Sequence, residues 1–255
     1  MLRNRVIPTL LLKGKGLVKT TKFKNPVYIG DPINAVRIFN VKEVDELILL
    51  DITATIERRE PNFEKIREIV SEAFMPIGYG GGIKTLDEIE KLFRVGIEKV
   101  IINSALFSNP EVAKDAAKTF GNQSIVLAID VKKDFWGNYK LFSNSGKNKQ
   151  NILIADHIKK NIDNGCGEIF LNNIDRDGTM IGYDVELIER YSRIIDVPLI
   201  VAGGAGNLHH FAEAIKAGAD AIAAGSMFVF QGIHRAVLLN YPKYSDLEKI
   251  INEVL

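Results

Sequence analysis

The sequence predicts an α/β fold, a (β/α)8 barrel built from two (β/α)4 half-barrels. Two observations carry this. Short apolar runs of strand type alternate with segments of helical spacing along the chain, the signature of βαβ units on a parallel sheet, and eight such runs close a barrel. The second observation is an internal repeat. LILLDIT from Leu47 matches IFLNNID from Ile169 about 122 residues on, and the glycines at 80–82 match Gly203-Gly204 about 123 on. IINSALF from Ile101 matches AAGSMFV from Ala223 about 122 on, and RVIPTLLL matches SIVLAID about 119 on. An open doubly wound sheet is the alternative, and two equal halves argue against it. Residues 1–255 read as one domain, because 255 residues that are 46% hydrophobic suit one large core better than two small ones.

Taken in order, RVIPTLLL (5–12) is a strand. KGKGLVKTTKFKN (13–25) is basic, contains glycine and lacks helical period. It reads as a long structureless loop, either functional or mobile, with a solvated lysine-rich surface as the alternative. Asp31 and Pro32 start a helix, as N-cap and first helical residue. Strands follow at Leu47–Asp51, 75–80, 99–103, 125–130, 168–172, Leu199–Ala202 and Ala221–Ala224, and the apolar run Leu199–Ala202 reads as buried on both faces. Amphipathic helices fall at 63–74, 86–95, 110–119, 152–164, 185–195 and 208–217. FWGNY (135–139) reads as a hairpin tip beside Asp130, and 244–255 as a packing helix.

Two strands end in glycine turns that run straight into helices: VPLIVAGGAG (197–206) before Asn207, and MPIGYGGGI (75–83) before Thr85. Glycine lets backbone N–H groups approach a ligand, and the helix N-terminus adds partial positive charge, so each turn offers a place for an anion. Two such places across one barrel mouth predict a ligand with two separated phosphates, or one large phosphorylated ligand.

The bulk numbers exclude several classes. A net charge of +1 supplies no field for nucleic acid. The one cysteine, Cys166, allows no intramolecular disulfide and reads as a small buried hydrophobe, and the four histidines lack metal-ligand spacing with it. Neither a signal peptide nor an apolar run of about 18 residues is present, so a soluble cytoplasmic protein with no membrane contact is expected. No metal or cofactor is called for.

In a barrel of this kind the chemistry sits at the strand C-termini. Those positions hold Asp51, Asn103, Asp130, Asn172, Asn173 and Asp177. Asp130 ends an apolar run, which should raise its pKa and suit it to acid–base work; the alternative is an aspartate that organises a loop. Asp51 reads as a holder of loop backbone or of a ligand hydroxyl, and Asp177 as either of these or a plain turn beside Gly178. By the repeat, the counterpart of Asp130 in the first half is Leu11, which moves no proton.

LDITA at Leu50, GYGGGI at Gly78, VLAID at Val126, IDRDGT at Ile174, GYD at Gly182 and AGGAG at Ala202, in this order, resemble the HisF family, the cyclase subunits of imidazole glycerol phosphate synthase. The similarity runs from Met1 to about Gln231. It implies a (β/α)8 barrel that takes ammonia from a HisH glutaminase and uses it on a ribulosyl-aminoimidazole bisphosphate. The products are imidazole glycerol phosphate, on the route to histidine, and an aminoimidazole ribotide. It also implies phosphate contacts at Gly82, Asn103 and Ser104 on one side and Gly178, Gly203, Gly204, Gly225 and Ser226 on the other. A charged ring at the barrel's base, where ammonia enters, matches Arg5, Glu46, Lys99 and Glu168, each at the N-terminal end of a strand; a purely structural salt-bridge cluster is the alternative.

The departure is in the catalytic pair. The family works with two aspartates; the second is Asp130 and the first is replaced by Leu11. The family's KDG becomes KGKG at 13–16, while Lys19 remains. Ring closure with C–N cleavage needs both proton donation and abstraction. The chain therefore looks more like a branch of HisF-like proteins of surface-glycan biosynthesis. With a HisH-like glutaminase and a separate sugar amidotransferase, these supply ammonia that turns an N-acetyl group into an acetamidino group. Two further readings stand beside it: a true cyclase using Asp130 with Asp177, and a sugar-phosphate isomerase of the HisA type, which the base ring disfavours.

Overall fold

The computed structural model describes residues 4–252, so the last three residues of the expected segment 244–255 lie outside the described residues. The first half contains β1 (Arg5–Lys13), β2 (Gly16–Thr21), β3 (Lys24–Gly30), α1 (Pro32–Val41), β4 (Leu47–Asp51), α2 (Phe63–Val70) and β5 (Ile77–Gly80). It continues through α3 (Leu86–Arg94), β6 (Lys99–Ile102), α4 (Ala105–Ser108) and α5 (Glu111–Phe120). The second half contains β7 (Ile125–Lys133), β8 (Tyr139–Ser143), β9 (Asn148–Gln150), α6 (Ile154–Asp163), β10 (Glu168–Asn173) and α7 (Val185–Ser192). Then come β11 (Leu199–Ala202), α8 (Leu208–Lys216), β12 (Ala221–Ala224) and α9 (Ser226–Val229), a two-stranded ribbon of β13 (Phe230–Gln231) and β14 (Ala236–Val237), and α10 (Tyr244–Asn252).

Eight of these strands form a closed parallel barrel in the order β1, β4, β5, β6, β7, β10, β11, β12, with β12 pairing back onto β1. The fold class read from the sequence is the one observed. Alternation along each strand sends one set of side chains inward and the other toward the helices. The inward set holds Ile7, Ile48, Ile101, Val126, Phe170 and Ile200, all buried. Room for them comes from small neighbours: a Cβ on Gly80 would stand 2.8 Å from the Leu50 side chain and 2.9 Å from the Ile101 carbonyl oxygen. The outward set, with Leu47, Leu49, Val100 and Leu127, joins the helices in the larger core.

The helices start where their caps allow. Asp31 Oδ1 accepts from the amides of Ile33 (2.9 Å) and Asn34 (3.1 Å) with Pro32 behind it, as the sequence indicated. Thr85 and Glu88 form a reciprocal capping box at the start of α3, each side chain accepting from the other's end of the turn. Cys166 lies in the core, and burial pushes its thiol up to about 12. Among the described residues no helix is long and apolar enough to cross a membrane.

The structure corrects one segment. Residues 13–25 are not a structureless loop. β1 overruns the barrel rim, turns at Gly14 (φ 60°), and pairs antiparallel with β2, which pairs in turn with β3. The second half does the same: β7 overruns the rim and pairs with β8, and β8 with β9. The duplication thus extends to a hairpin after the first strand of each half. The tip of the second hairpin, with Phe135 and Trp136, is exposed.

Candidate functional site

A cavity of about 470 Å³ opens at the C-terminal ends of the barrel strands. Its wall includes Leu11 and Thr9 from β1, Asn103 just beyond β6, Asp130 from β7 and Asn172 from β10, with Ile101 and Phe170 from the barrel interior. Strand register makes the two halves of this mouth different. In the first half Leu11 lies opposite Leu50 across the β1–β4 pair. At the matching place in the second half Asp130 lies opposite Asn172 across the β7–β10 pair. One side of the mouth is apolar where the other is ionisable.

Asp130 is clamped. Asn103 Nδ2 donates to one carboxylate oxygen at 3.0 Å and Asn172 Nδ2 to the other at 3.2 Å. Burial nevertheless pushes the Asp130 carboxyl up to about 7, against the Asn172 hydrogen bond and with added repulsion from Asp177. Asp177 lines the same cavity and accepts from the Thr20 hydroxyl at 3.2 Å; burial raises its pKa while Lys19 opposes the rise. Lys19 belongs to strand β2, not to a mobile loop. Its ammonium donates to the Thr9 carbonyl, and burial lowers its pKa to about 8 against the pull of Asp177.

Asp51 takes the backbone-holding role. Its carboxylate accepts from the amides of Thr53 and Ala54, both at 3.0 Å, and pairs with Arg59 at 2.7 Å. Of the residues matched to phosphate contacts, Gly82, Asn103, Ser104, Gly203 and Gly225 line the cavity. Asn103 spends its amide on Asp130, and the Ser104 hydroxyl accepts from the Asn144 amide at 2.9 Å. Gly178, Gly204 and Ser226 are not among the residues that line it. A Cβ on Gly178 would lie 2.1 Å from the Thr20 carbonyl oxygen, and one on Gly204 would lie 2.1 Å from the Gly182 carbonyl oxygen, so close backbone approach accounts for both glycines. Ser226 is buried at the start of α9. Among the described residues no cluster of three or more His, Cys, Asp or Glu is placed to hold a metal ion.

At the opposite end of the barrel Arg5, Glu46, Lys99 and Glu168 close a four-membered ring. Arg5 bridges Glu46 and Glu168; Lys99 bridges the same two acids at 3.0 Å and 2.8 Å. Both glutamates are buried, at 3% and 4% exposure, so the alternation of sign is what makes the cluster tolerable. An apolar layer that includes Ile7, Ile48, Val126 and Ile200 lies between this ring and the mouth cavity.

Sequence reasoning missed the clamp on Asp130. The available signal was parity: Asn172 is two residues beyond the interior Phe170, and Asn103 two beyond the interior Ile101, so both point inward at the rim. It also missed Arg59 as the partner of Asp51.

Comparison with known proteins gives a consistent result. Residues 5–234 match the histidine biosynthesis protein family. The chain is 51% identical over 249 residues to the "Putative imidazole glycerol phosphate synthase subunit hisF2" of Pseudomonas aeruginosa, covering 97% of this chain and 99% of that protein. It is 46% identical to the hisF3 protein named in the same terms from Vibrio vulnificus, covering 98% and 97%. It is 40% identical to the imidazole glycerol phosphate synthase subunit HisF of Exiguobacterium sibiricum, covering 89% and 91%.

Proposed function

The chain belongs to the histidine biosynthesis protein family, and from that premise we propose that it is the HisF-like barrel subunit of a glutamine-dependent amidotransferase. In this reading a HisH-like glutaminase docks at the barrel's base and releases ammonia there. The barrel carries the ammonia to its mouth, and a separate amidotransferase uses it to convert an N-acetyl group on a sugar into an acetamidino group.

The observation that carries the reading is the asymmetric mouth joined to an intact base. Cyclisation needs one group to give a proton and another to take one, on opposite sides of the reactant. Here Leu11 and Leu50 occupy the side facing Asp130 and Asn172. The base, by contrast, keeps all four charges in alternation. An apolar layer above such a ring favours passage of neutral ammonia over ammonium, because stripping water from an ion in an apolar medium costs far more than stripping it from a neutral molecule.

The second reading, a working cyclase, draws support from Asp130 with its pKa near 7 and from Asp177 in the same cavity. One assay separates them: supply the purified chain with an ammonium salt and the ribulosyl-aminoimidazole bisphosphate. The conduit reading expects no imidazole glycerol phosphate above background, and turnover at an enzymatic rate overturns it in favour of the cyclase.

A further inference from the structure

The two rim hairpins carry a charge that the rest of the molecule does not share. Residues 13–30 and 131–150, which build them, hold ten of the chain's 33 lysines and arginines and one of its 32 acids, so they carry +9 and the remainder −8. Seven of the ten lysines are exposed, and none of the seven has an ion pair among the described residues. The one acid, Asp134, is spent on its own turn, where it accepts from the amides of Trp136 at 3.0 Å and Asn138 at 2.9 Å. The hairpins also touch. Gly146, in the β8–β9 turn, lies against Phe23 of the β2–β3 turn, and a Cβ there would stand 3.0 Å from that ring. Phe23, Lys13 and Lys147 line the mouth cavity. The two hairpins are therefore one basic surface bordering the mouth.

Val27 and Tyr28 on β3, and Phe135 and Trp136 at the β7–β8 tip, are exposed on the same hairpins. Lysine on an edge strand guards against stray strand pairing, which accounts for Lys24 on β3 and Lys149 on β9. It does not account for large apolar side chains left bare beside them. A small anion would use the charge and leave those side chains in water. A nucleic acid or an anionic membrane extends past the hairpins and meets the acidic remainder of the chain, which repels it. A compact protein with one acidic patch and apolar surface around it uses both features.

We propose that the two hairpins are the docking surface for the acceptor amidotransferase, which meets the exposed lysines with an acidic patch and packs apolar surface on Phe135 and Trp136; the proposal rests on the ammonia-carrying reading. In that reading ammonia leaves at the mouth, and a partner seated on both hairpins spans the exit and keeps bulk water from it. Opposite charge steers the approach, and the aromatic side chains hold the docked state. The acidic remainder of the barrel turns the same patch away from the other faces, so charge also sets the orientation.

The test measures binding of the full-length chain to the purified amidotransferase by titration calorimetry, at low and high salt. Lys24→Glu, Lys132→Glu and Lys149→Glu together reverse three exposed charges, none of which lines the cavity. The dissociation constant should rise about thirtyfold, at about threefold for each exposed charge. The control, Lys118→Glu with Lys159→Glu and Lys216→Glu, reverses three exposed lysines on α5, α6 and α8 and should stay within about threefold of the unmodified chain. Equal affinities of the two triple variants, or no saturable binding by the unmodified chain, overturn the proposal. Salt keeps the test decisive if the hairpin variant misfolds: binding of the unmodified chain that about 0.5 M sodium chloride does not weaken also overturns it. Vesicles of phosphatidylcholine and phosphatidylserine in equal parts run alongside, and saturable binding to them without binding to the amidotransferase makes the surface a membrane site instead. Stimulation of a HisH-like glutaminase by the chain is measured separately: stimulation without docking at the hairpins removes the docking surface and leaves the ammonia-carrying reading intact.

Discussion

Replacing Asp130 by Asn should stabilise the protein, and only above acidic pH. Asp130 ordinarily would titrate at 3.8; in the folded chain burial moves it to about 7. An acid whose pKa rises on folding keeps its proton longer in the folded state. Below pH 3.8 both states are protonated and the difference vanishes. As the pH climbs toward 7 the unfolded chain ionises first, and stability is lost through that window. Above pH 7 the loss is constant, at about 1.4 kcal/mol per pH unit a total of about 4 kcal/mol. The substituted side chain has no charge to desolvate, and either neighbouring amide can turn its unpartnered oxygen to meet the new NH2. For a chain of this length about 4 kcal/mol corresponds to roughly 10 °C in Tm. Thermal melts of both proteins from pH 4 to pH 8 check this. The two Tm values should converge at the acid end and separate at the alkaline end, with Asp130→Asn higher. Equal Tm values at pH 8, or a gap that does not change with pH, would refute the burial argument.

Lys99→Met leaves the buried Glu46 and Glu168 sharing Arg5 alone, and should cost about 3 kcal/mol in a urea melt. The double variant with Glu46→Gln should regain part of that loss, because the surplus negative charge is gone. Leu11→Asp places a carboxylate on the side of the mouth facing Asp130, and ammonium-driven formation of imidazole glycerol phosphate should then exceed that of the unmodified chain. Phe135→Ser with Trp136→Ser alters two side chains that are 93% and 81% exposed, and its unfolding free energy should stay within about 0.5 kcal/mol per substitution of the original.

The barrel was legible because a parallel sheet covered on both faces writes its strands as continuous apolar runs, LILLD and LIVA among them. The repeat then placed Leu11 against Asp130, and both do line one cavity. The base ring was legible through the family resemblance, and the place of Arg5, Lys99 and Glu168 at strand starts agreed with it. Lys19 was legible as a candidate but its burial was not. KGKGLVKTT suits a functional loop and a solvated surface equally, and it is the pairing of β2 with β1 that leaves Lys19 5% exposed with its ammonium on the Thr9 carbonyl. Gly178 and Gly204 have a requirement that the sequence did not show: a carbonyl oxygen stands 2.1 Å from where each Cβ would be, a contact no local motif encodes. Asn103 was legible as a rim residue, yet which neighbour it would bond depends on the β6–β7–β10 order, which is set by barrel closure.

The central claim is that nitrogen travels inside this barrel. It is tested most directly by assembling the chain with a HisH-like glutaminase and the sugar amidotransferase, supplying glutamine labelled with ¹⁵N at the amide, and adding excess unlabelled ammonium to the solution. The account predicts an acetamidino product that keeps the glutamine label. A product whose label is diluted to the level of the bulk ammonium would contradict it.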